Sequence, residues 1–448
     1  MRNPETPPNF DQLFQKALAS KRINSIFQAI VSTISGERYF HWDELRFRTP
    51  PAVLSHEEWW LGLKLRRMSA TKPITLLDKT GQPFGFHVPD LAAEQLHHID
   101  RESGTLLETT TPITNPQTRD RYIMRSLVEE AITSSQLEGA ATTREVAKQM
   151  LSSGRPPRDR GEQMILNNFL TMRRIIEIKH EKLSPALVLD IHRRVSERAL
   201  DKADAVGRLR RADESVQVSD SYGQIFHEPP AAGELDDRLR EMCRFANGET
   251  PDFFVHPVIR AILLHFWLAY DHPFVDGNGR TARALFYWQM LHAGYWLFEF
   301  VSISQFLLKA PALYGMAFLH TETDANDLTY FVIHQTEVIR RALAELHDYI
   351  RKKSHELEIC GALLNRVDGL SHRQQAVIAH ALRHPGFRYE IAGHQHRQQV
   401  AYATARFDLL DLAQRGLLEQ SKAGNAFVFI VPEDLELRLR SAAKPAGR

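Results

Sequence analysis

The sequence predicts a mainly α protein: a helical bundle with a β-hairpin flap, preceded by an α+β accessory region and followed by a winged helix-turn-helix. Three observations predict this. From about 117 to 350, long amphipathic segments with few strands are punctuated by Gly and Pro, as in a bundle. Inside that region Glu214 to His227 breaks the pattern, with β-branched alternation around Asp-Ser-Tyr-Gly, which reads as a hairpin. Residues 366–435 run helix, short helix, long helix, hairpin.

The elements follow in order. A chain of 448 residues is too long for one ordinary core and should divide into two or three units. In the accessory region, 1–116, the stretch 73–88 reads as two strands joined by a turn at Asp78-Lys-Thr-Gly81. A helix over about 121–139 ends at Glu138-Gly139, with Gly139 a natural C-cap. Val255 to Asp271 is an apolar-periodic helix. His272-Pro273 ends it, because proline disfavours helical geometry in the residue before it. Asp276-Gly277-Asn278-Gly279 then leads into a second helix beginning near Arg280. In the C-terminal module a helix spans Ser371 to Arg383, a long one ends at Arg415-Gly416, and 417–431 forms two short strands about an Ala-Gly-Asn turn.

Composition narrows the partners. Lys plus Arg (56) nearly cancels Asp plus Glu (55), so no global charge argues for wrapping nucleic acid or docking on anionic lipid. Cys243 and Cys360 lie far apart without metal-ligand spacing, which suits a reducing, cytoplasmic setting. The first residues show no signal or transit peptide, and the most apolar stretch, Ala261 to Tyr270, is too short for a membrane span.

The segment His272-Pro-Phe-Val-Asp-Gly-Asn-Gly-Arg-Thr-Ala-Arg283 carries the chemistry. Gly277 and Gly279 flank Asn278 and let the backbone turn its N–H groups inward, beside the positive end of the following helix; that geometry receives phosphate. Arg280 and Arg283 lie three apart and project to about the same side, where they can clamp phosphate oxygens. Asp276 offers a hard oxygen for Mg²⁺, which binds through one or two carboxylates plus substrate phosphates. His272 titrates near neutrality and can take a proton from a hydroxyl.

This string resembles the signature of the Fic family (filamentation induced by cyclic AMP). The likeness extends to the hairpin with His227-Glu-Pro-Pro230, to His256-Pro257, and to Tyr314 through Asp327-Leu-Thr329. The resemblance implies a Fic helical bundle over 117–350 and a protein adenylyltransferase, with ATP as the donor and Mg²⁺ as the metal. In it His272 is the general base toward a Ser, Thr or Tyr hydroxyl of a protein target. Asp276 holds Mg²⁺ on the α- and β-phosphates. Gly277, Asn278 and Gly279 bind phosphate oxygens, Arg280 and Arg283 grip the β- and γ-phosphates, and Phe274 is a packing anchor. The 214–227 hairpin is similar to the flap that holds the target by strand addition. Ser219, Ser221 and Tyr222 on its tip make the protein itself a candidate target.

Ser134-Ser-Gln-Leu-Glu138-Gly139 is similar to the family's inhibitory motif. Glu138 pairing with Arg283 would hold activity low. In some relatives the equivalent glutamate also serves removal of AMP, and other relatives use other donors. Residues 400–418 resemble the third helix of winged-helix domains often fused to Fic cores, which leaves DNA or a second copy of the chain as further partners. The basic excess between 366 and 431 is modest, and Ala401 stands where a capping Ser is usual.

Overall fold

The structure, a computed structural model, describes residues 2–32, 38–51, 53–104, 116–219, 223–364, 367, 369–382, 384, 386–423 and 426–442. The chain divides into Met1–Leu346 and His347–Arg448. No helix among the described residues is long and apolar enough to cross a membrane.

The first unit opens with helices Phe10–Ala19, Ile23–Ser32, Trp42–Leu45 and His56–Ala70. They close on Ile26, Ile30, Leu45, Trp60 and Leu61. Ser55 and Glu58 form a reciprocal capping box that starts the fourth helix. Strands Lys72–Leu77 and Pro83–Phe86 follow as an antiparallel hairpin pairing Lys72 with Phe86 and Leu77 with Pro83. Its turn is set by the Asp78 carboxylate, which accepts from the Thr80 and Gln82 amides at 2.8 and 2.9 Å, and by Gly81 at φ +84°.

Helices Asp90–Gly104, Pro116–Leu137, Arg144–Ser153, Arg160–Ile178 and Pro185–Ser196 come next, then Leu235–Ala246. At the centre lie Pro257–Asp271, the leading helix, and Asn278–His292, the trailing helix. The leading helix is mostly apolar and buried nearly all round, the pattern of a helix with no solvent side. Ile259, Ile262, Leu263, Leu264, Phe266 and Leu268 are fully buried. Each such side chain contributes about 1.5–3 kcal/mol by leaving water. Helices Ser304–Lys309, Pro311–Thr323 and Thr329–Leu364 complete the order.

The hairpin read at 214–227 is shorter than expected: Val218–Ser219 pairs with Ile225–His227. Glu214 does not join it, because its carboxylate is taken by Arg208 and by the Arg211 amide at 2.8 Å. Ser219 is exposed, whereas Ser221 and Tyr222 lie outside the described residues.

The second unit contains helices His372–Ala381, Ile391–Gln398, Tyr402–Gln414 and Leu435–Ala442. Strand Ala426–Ile430 lies between Arg388–Glu390 and Glu419–Ala423 in an antiparallel sheet. The strand Arg388–Glu390 is absent from the sequence reading, since three residues carry too little alternation to register. Ile378, Leu409, Leu412, Leu417 and Phe429 form the core. Asp408 is buried there and accepts from Arg373 at 2.7 Å.

Candidate active site

His272 stands where the leading helix stops. It takes the left-handed conformation, φ 44° and ψ 56°, and its amide closes the last turn on Leu268 O at 3.0 Å. A non-glycine residue held there is strained. Arg210 braces it, donating from Nε to His272 O at 3.0 Å while its own amide reaches Pro273 O at 2.9 Å. The ring Nδ1 lies 3.2 Å from Ala269 O. A carbonyl only accepts, so Nδ1 carries the proton and Nε2 keeps its lone pair. Burial drives the imidazole down to about 4, so it is neutral at physiological pH.

The loop after His272 is fixed from three directions. Asn278 spends its side chain on it, taking the Phe274 amide and donating to the Phe274 carbonyl, both at 2.9 Å; only its backbone amide is left to serve phosphate. Phe274 is fully buried, as a packing anchor should be, and stacks on His192 with centroids 3.6 Å apart. His192 accepts from the Gly207 amide at 3.2 Å and donates from Nε2 to Asp276 O at 2.9 Å. Burial lowers this ring to about 4, which suits a neutral imidazole with one donor and one acceptor. Gly277, at φ +84°, starts the trailing helix without a side-chain cap. Its first-turn N–H groups therefore have no intrahelical partner and are open to an anion.

The two arginines are deployed differently. Arg280 is fully buried and donates from Nη1 to Val195 O at 2.8 Å, but its Nε and Nη2 have no hydrogen-bond partner. Its nearest carboxylate, Asp276, is 3.6 Å away. A buried cation with two orphaned nitrogens beside an open helix N-terminus is a site short of an anion.

Arg283 is engaged through Nε and Nη2. Nε donates to Ser134 Oγ at 2.8 Å, and Nη2 donates to Ser134 O at 2.9 Å and to Glu138 Oε1 at 2.8 Å. Burial disfavours its charge, yet Glu138 and Tyr314 outweigh that and raise its pKa.

Glu138 caps the end of the helix Pro116–Leu137 in a Schellman closure. Gly139 N reaches Gln136 O at 3.1 Å, Ala140 N reaches Ser135 O at 3.0 Å, and Gly139 sits at φ +89°. The same helix is anchored by Glu130, which is buried and accepts from Tyr287 OH at 2.9 Å and Ser302 Oγ at 2.8 Å. So held, the Glu138 carboxylate lies directly on the phosphate loop: a Cβ at Gly279 would stand 2.0 Å from its Oε1. It is also near enough to act on the His272 ring, tending to raise its pKa. Glu138 thus bonds the clamp, lies against the loop and is close enough to act on the base.

Asp276 faces Arg160, 2.9 Å from Oδ2, and its Oδ1 takes the Gly277 amide. No cluster of three or more His, Cys, Asp or Glu suited to a metal exists among the described residues. One half-exposed carboxylate still fits Mg²⁺, which takes one or two carboxylates and completes its shell with water and phosphate oxygens.

His192, Arg210, Arg160 and Ser134's grip on Arg283 are absent from the sequence reading. His192 sits on the apolar face of its helix beside Val188, Ile191 and Val195, where a histidine gives no sign of its partner 84 residues away.

Fold and site together describe a helical protein in which a neutral imidazole, an uncapped helix start beside a buried arginine, and a glutamate held on a second arginine come from neighbouring elements. Residues 182–290 match the Fic/DOC family, so the chain carries a Fic domain. The protein adenylyltransferase Fic of Nematostella vectensis is 35% identical over 117 residues, covering 26% of this chain and 25% of that protein. The protein of that name from Drosophila melanogaster is 36% identical over 113 residues, covering 24% and 20%. The chain thus spans about a quarter of the length of these curated relatives. The crystal structure of a Fic family protein from Desulfovibrio desulfuricans G20 shares the fold, with a TM-score of 0.54 and 17% identity over 77% of this chain and 97% of that one.

Proposed function

We propose that the protein transfers AMP from ATP to a Ser, Thr or Tyr hydroxyl of a protein, and that Glu138 restrains it. The observation that carries this reading is Arg280, buried beside an uncapped helix start with two nitrogens lacking hydrogen-bond partners. His272 Nε2 takes the hydroxyl proton, the oxygen bonds to the α-phosphorus, and the bond from that phosphorus to the bridging oxygen breaks to release pyrophosphate. Amides of Gly277, Asn278 and Gly279 receive phosphate oxygens, and Arg280 and a released Arg283 grip the β- and γ-phosphates. Mg²⁺, held by Asp276 after Arg160 yields, would neutralise charge on the phosphates.

With Glu138 on Arg283 and over Gly279, the γ-phosphate's place is filled and its cation used. The Val218–His227 hairpin is the surface on which a target segment would add as a strand, and the exposed Ser219 makes the protein itself one candidate acceptor. The helix Tyr402–Gln414 exposes Tyr402, Arg406 and Phe407, and contact with DNA or a second copy through it is a separate proposal, as is a cytoplasmic setting.

The test is incubation of wild type, Glu138→Gly and His272→Ala with Mg²⁺ and ATP labelled at the α-phosphate in a cell lysate. Labelled protein with Glu138→Gly, and none with His272→Ala, is expected. No labelled protein from Glu138→Gly would end the reading, and label only from another nucleotide would change the donor.

A further inference from the structure

Asp271 precedes the base and is expensive where it stands. It is a carboxylate at the negative end of the leading helix, 3% exposed, where both the helix dipole and the lack of water oppose its charge. Burial pushes it up to about 7, against the pull of Arg238. Its oxygens are satisfied by two donors: Arg238 Nη1 at 3.0 Å and Trp267 Nε1 at 3.0 Å.

Arg238 does more than neutralise it. The same Nη1 donates to Leu77 O at 2.8 Å, Nη2 donates to Asp78 O at 3.1 Å, and Nε donates to Glu234 at 2.9 Å. Leu77 and Asp78 are the end of one strand and the start of the turn in the N-terminal hairpin. One guanidinium therefore ties that hairpin to the residue before His272.

Independent contacts run the same way. Phe84, fully buried on the second hairpin strand, meets Tyr270 edge-on with centroids 4.8 Å apart. The Lys79 amide donates to Tyr270 OH at 3.3 Å, and Lys79 Nζ reaches Glu228, just past the flap strand, at 3.0 Å. Tyr270 O in turn meets His227 Nε2 of the flap at 2.7 Å. Hairpin, flap base and the last turn of the leading helix thus meet at Tyr270 and Asp271.

We propose that Arg238 is a positioning residue for the transfer reaction, and that through it the N-terminal hairpin is a working part of the catalytic apparatus. The strained conformation of His272 needs a rigid helix end behind it, and Arg238 supplies that end by holding Asp271 against the hairpin carbonyls. The phosphate loop lies on the trailing helix and does not touch Arg238, so positioning and ATP binding are separable. This proposal rests on the adenylyl-transfer reading for its kinetics but not for its structural readout.

The test uses the full chain in the Glu138→Gly background. Arg238→Met is expected to lower kcat by about 100-fold, the scale of a misplaced reacting group, with KM for ATP unchanged within about twofold. Because Arg238→Met also strands a buried carboxylate, Arg238→Met/Asp271→Asn is made beside it. The double variant should regain most of the thermal stability while kcat stays at least about tenfold low, since the hairpin carbonyls still lack their donor. Recovery of kcat together with stability would overturn the proposal, as would a raised KM with kcat intact.

Amide hydrogen exchange on the double variant gives the second readout. Exchange across residues 268–277 should quicken while residues 284–291 of the trailing helix keep their protection. Unchanged exchange at 268–277 overturns the proposal whatever the activity. Absence of transfer by the Glu138→Gly parent counts instead against the assigned reaction and leaves the exchange result to decide the role of Arg238.

Discussion

Replacing Glu138 by Gly should release the enzyme, and the structure sets the scale. The substitution removes one charge-assisted hydrogen bond of 2.8 Å to a guanidinium that is itself 2% exposed. It leaves Arg283 bonded to Ser134 through Oγ and O. A hydrogen bond to a charged group contributes about 1.5–3 kcal/mol. With the Glu138 side chain 26% exposed, about 2 kcal/mol is the fitting choice, and at 1.4 kcal/mol per decade that is about 30-fold in the population able to seat a γ-phosphate. Glycine is tolerated at a C-cap, so the helix end should survive.

The assay is the initial rate of α-phosphate label entering protein at fixed ATP, for wild type and Glu138→Gly. Arg283→Ala in the Glu138→Gly background should lose the gain, because the cation that was freed is then missing. A rate within about twofold of wild type, or a gain that survives Arg283→Ala, would refute the stopper role.

Three further outcomes are expected. Arg280→Ala should weaken ATP binding by at least about tenfold in calorimetry, since a buried partner for phosphate goes with it; thermal stability should fall less than for a core truncation, because one hydrogen bond, to Val195 O, and one long ion pair, to Asp276, are lost. His192→Ala removes the stack on Phe274 and the donor to Asp276 O, and should cost about 3 kcal/mol in denaturant unfolding together with transfer activity.

The third concerns pH. His272 is lowered to about 4 in the folded chain, so the acid limb of kcat/KM should fall nearer 4 than 6.5. The stability this neutral ring contributes is present above 6.5 and lost as pH falls through about 4. His192, His320 and His334, lowered to about 4 as well, act in the same sense. Glu130 and Asp271, raised by burial, offset part of it. Thermal melts should therefore drop between pH 6.5 and 5, and a rise there would contradict the assignment.

The candidate site was legible in the sequence because it is contiguous. His272, Asp276, Gly277, Asn278, Gly279, Arg280 and Arg283 lie within twelve residues, and their spacing alone implied a base, an anion loop and a clamp. Glu138 came from a resemblance, and its placement on both Arg283 and Gly279 depends on how the helix Pro116–Leu137 docks through Glu130. What stayed hidden is long-range. His192, Arg210 and Arg238 act through partners 84, 62 and 33 residues away, and several of these partners are backbone carbonyls, which leave no trace in residue type. The strand Arg388–Glu390 was missed for a different reason: three residues offer no period to read.

The most direct measurement compares two labels of the same nucleotide. Glu138→Gly is incubated with Mg²⁺ and ATP carrying label at either the α- or the γ-phosphate, and protein is separated and counted. Label from the α position joined to protein, with none from the γ position and none at all with His272→Ala, is the predicted result. Protein labelled from the γ position, or labelling that persists without the imidazole, would contradict it.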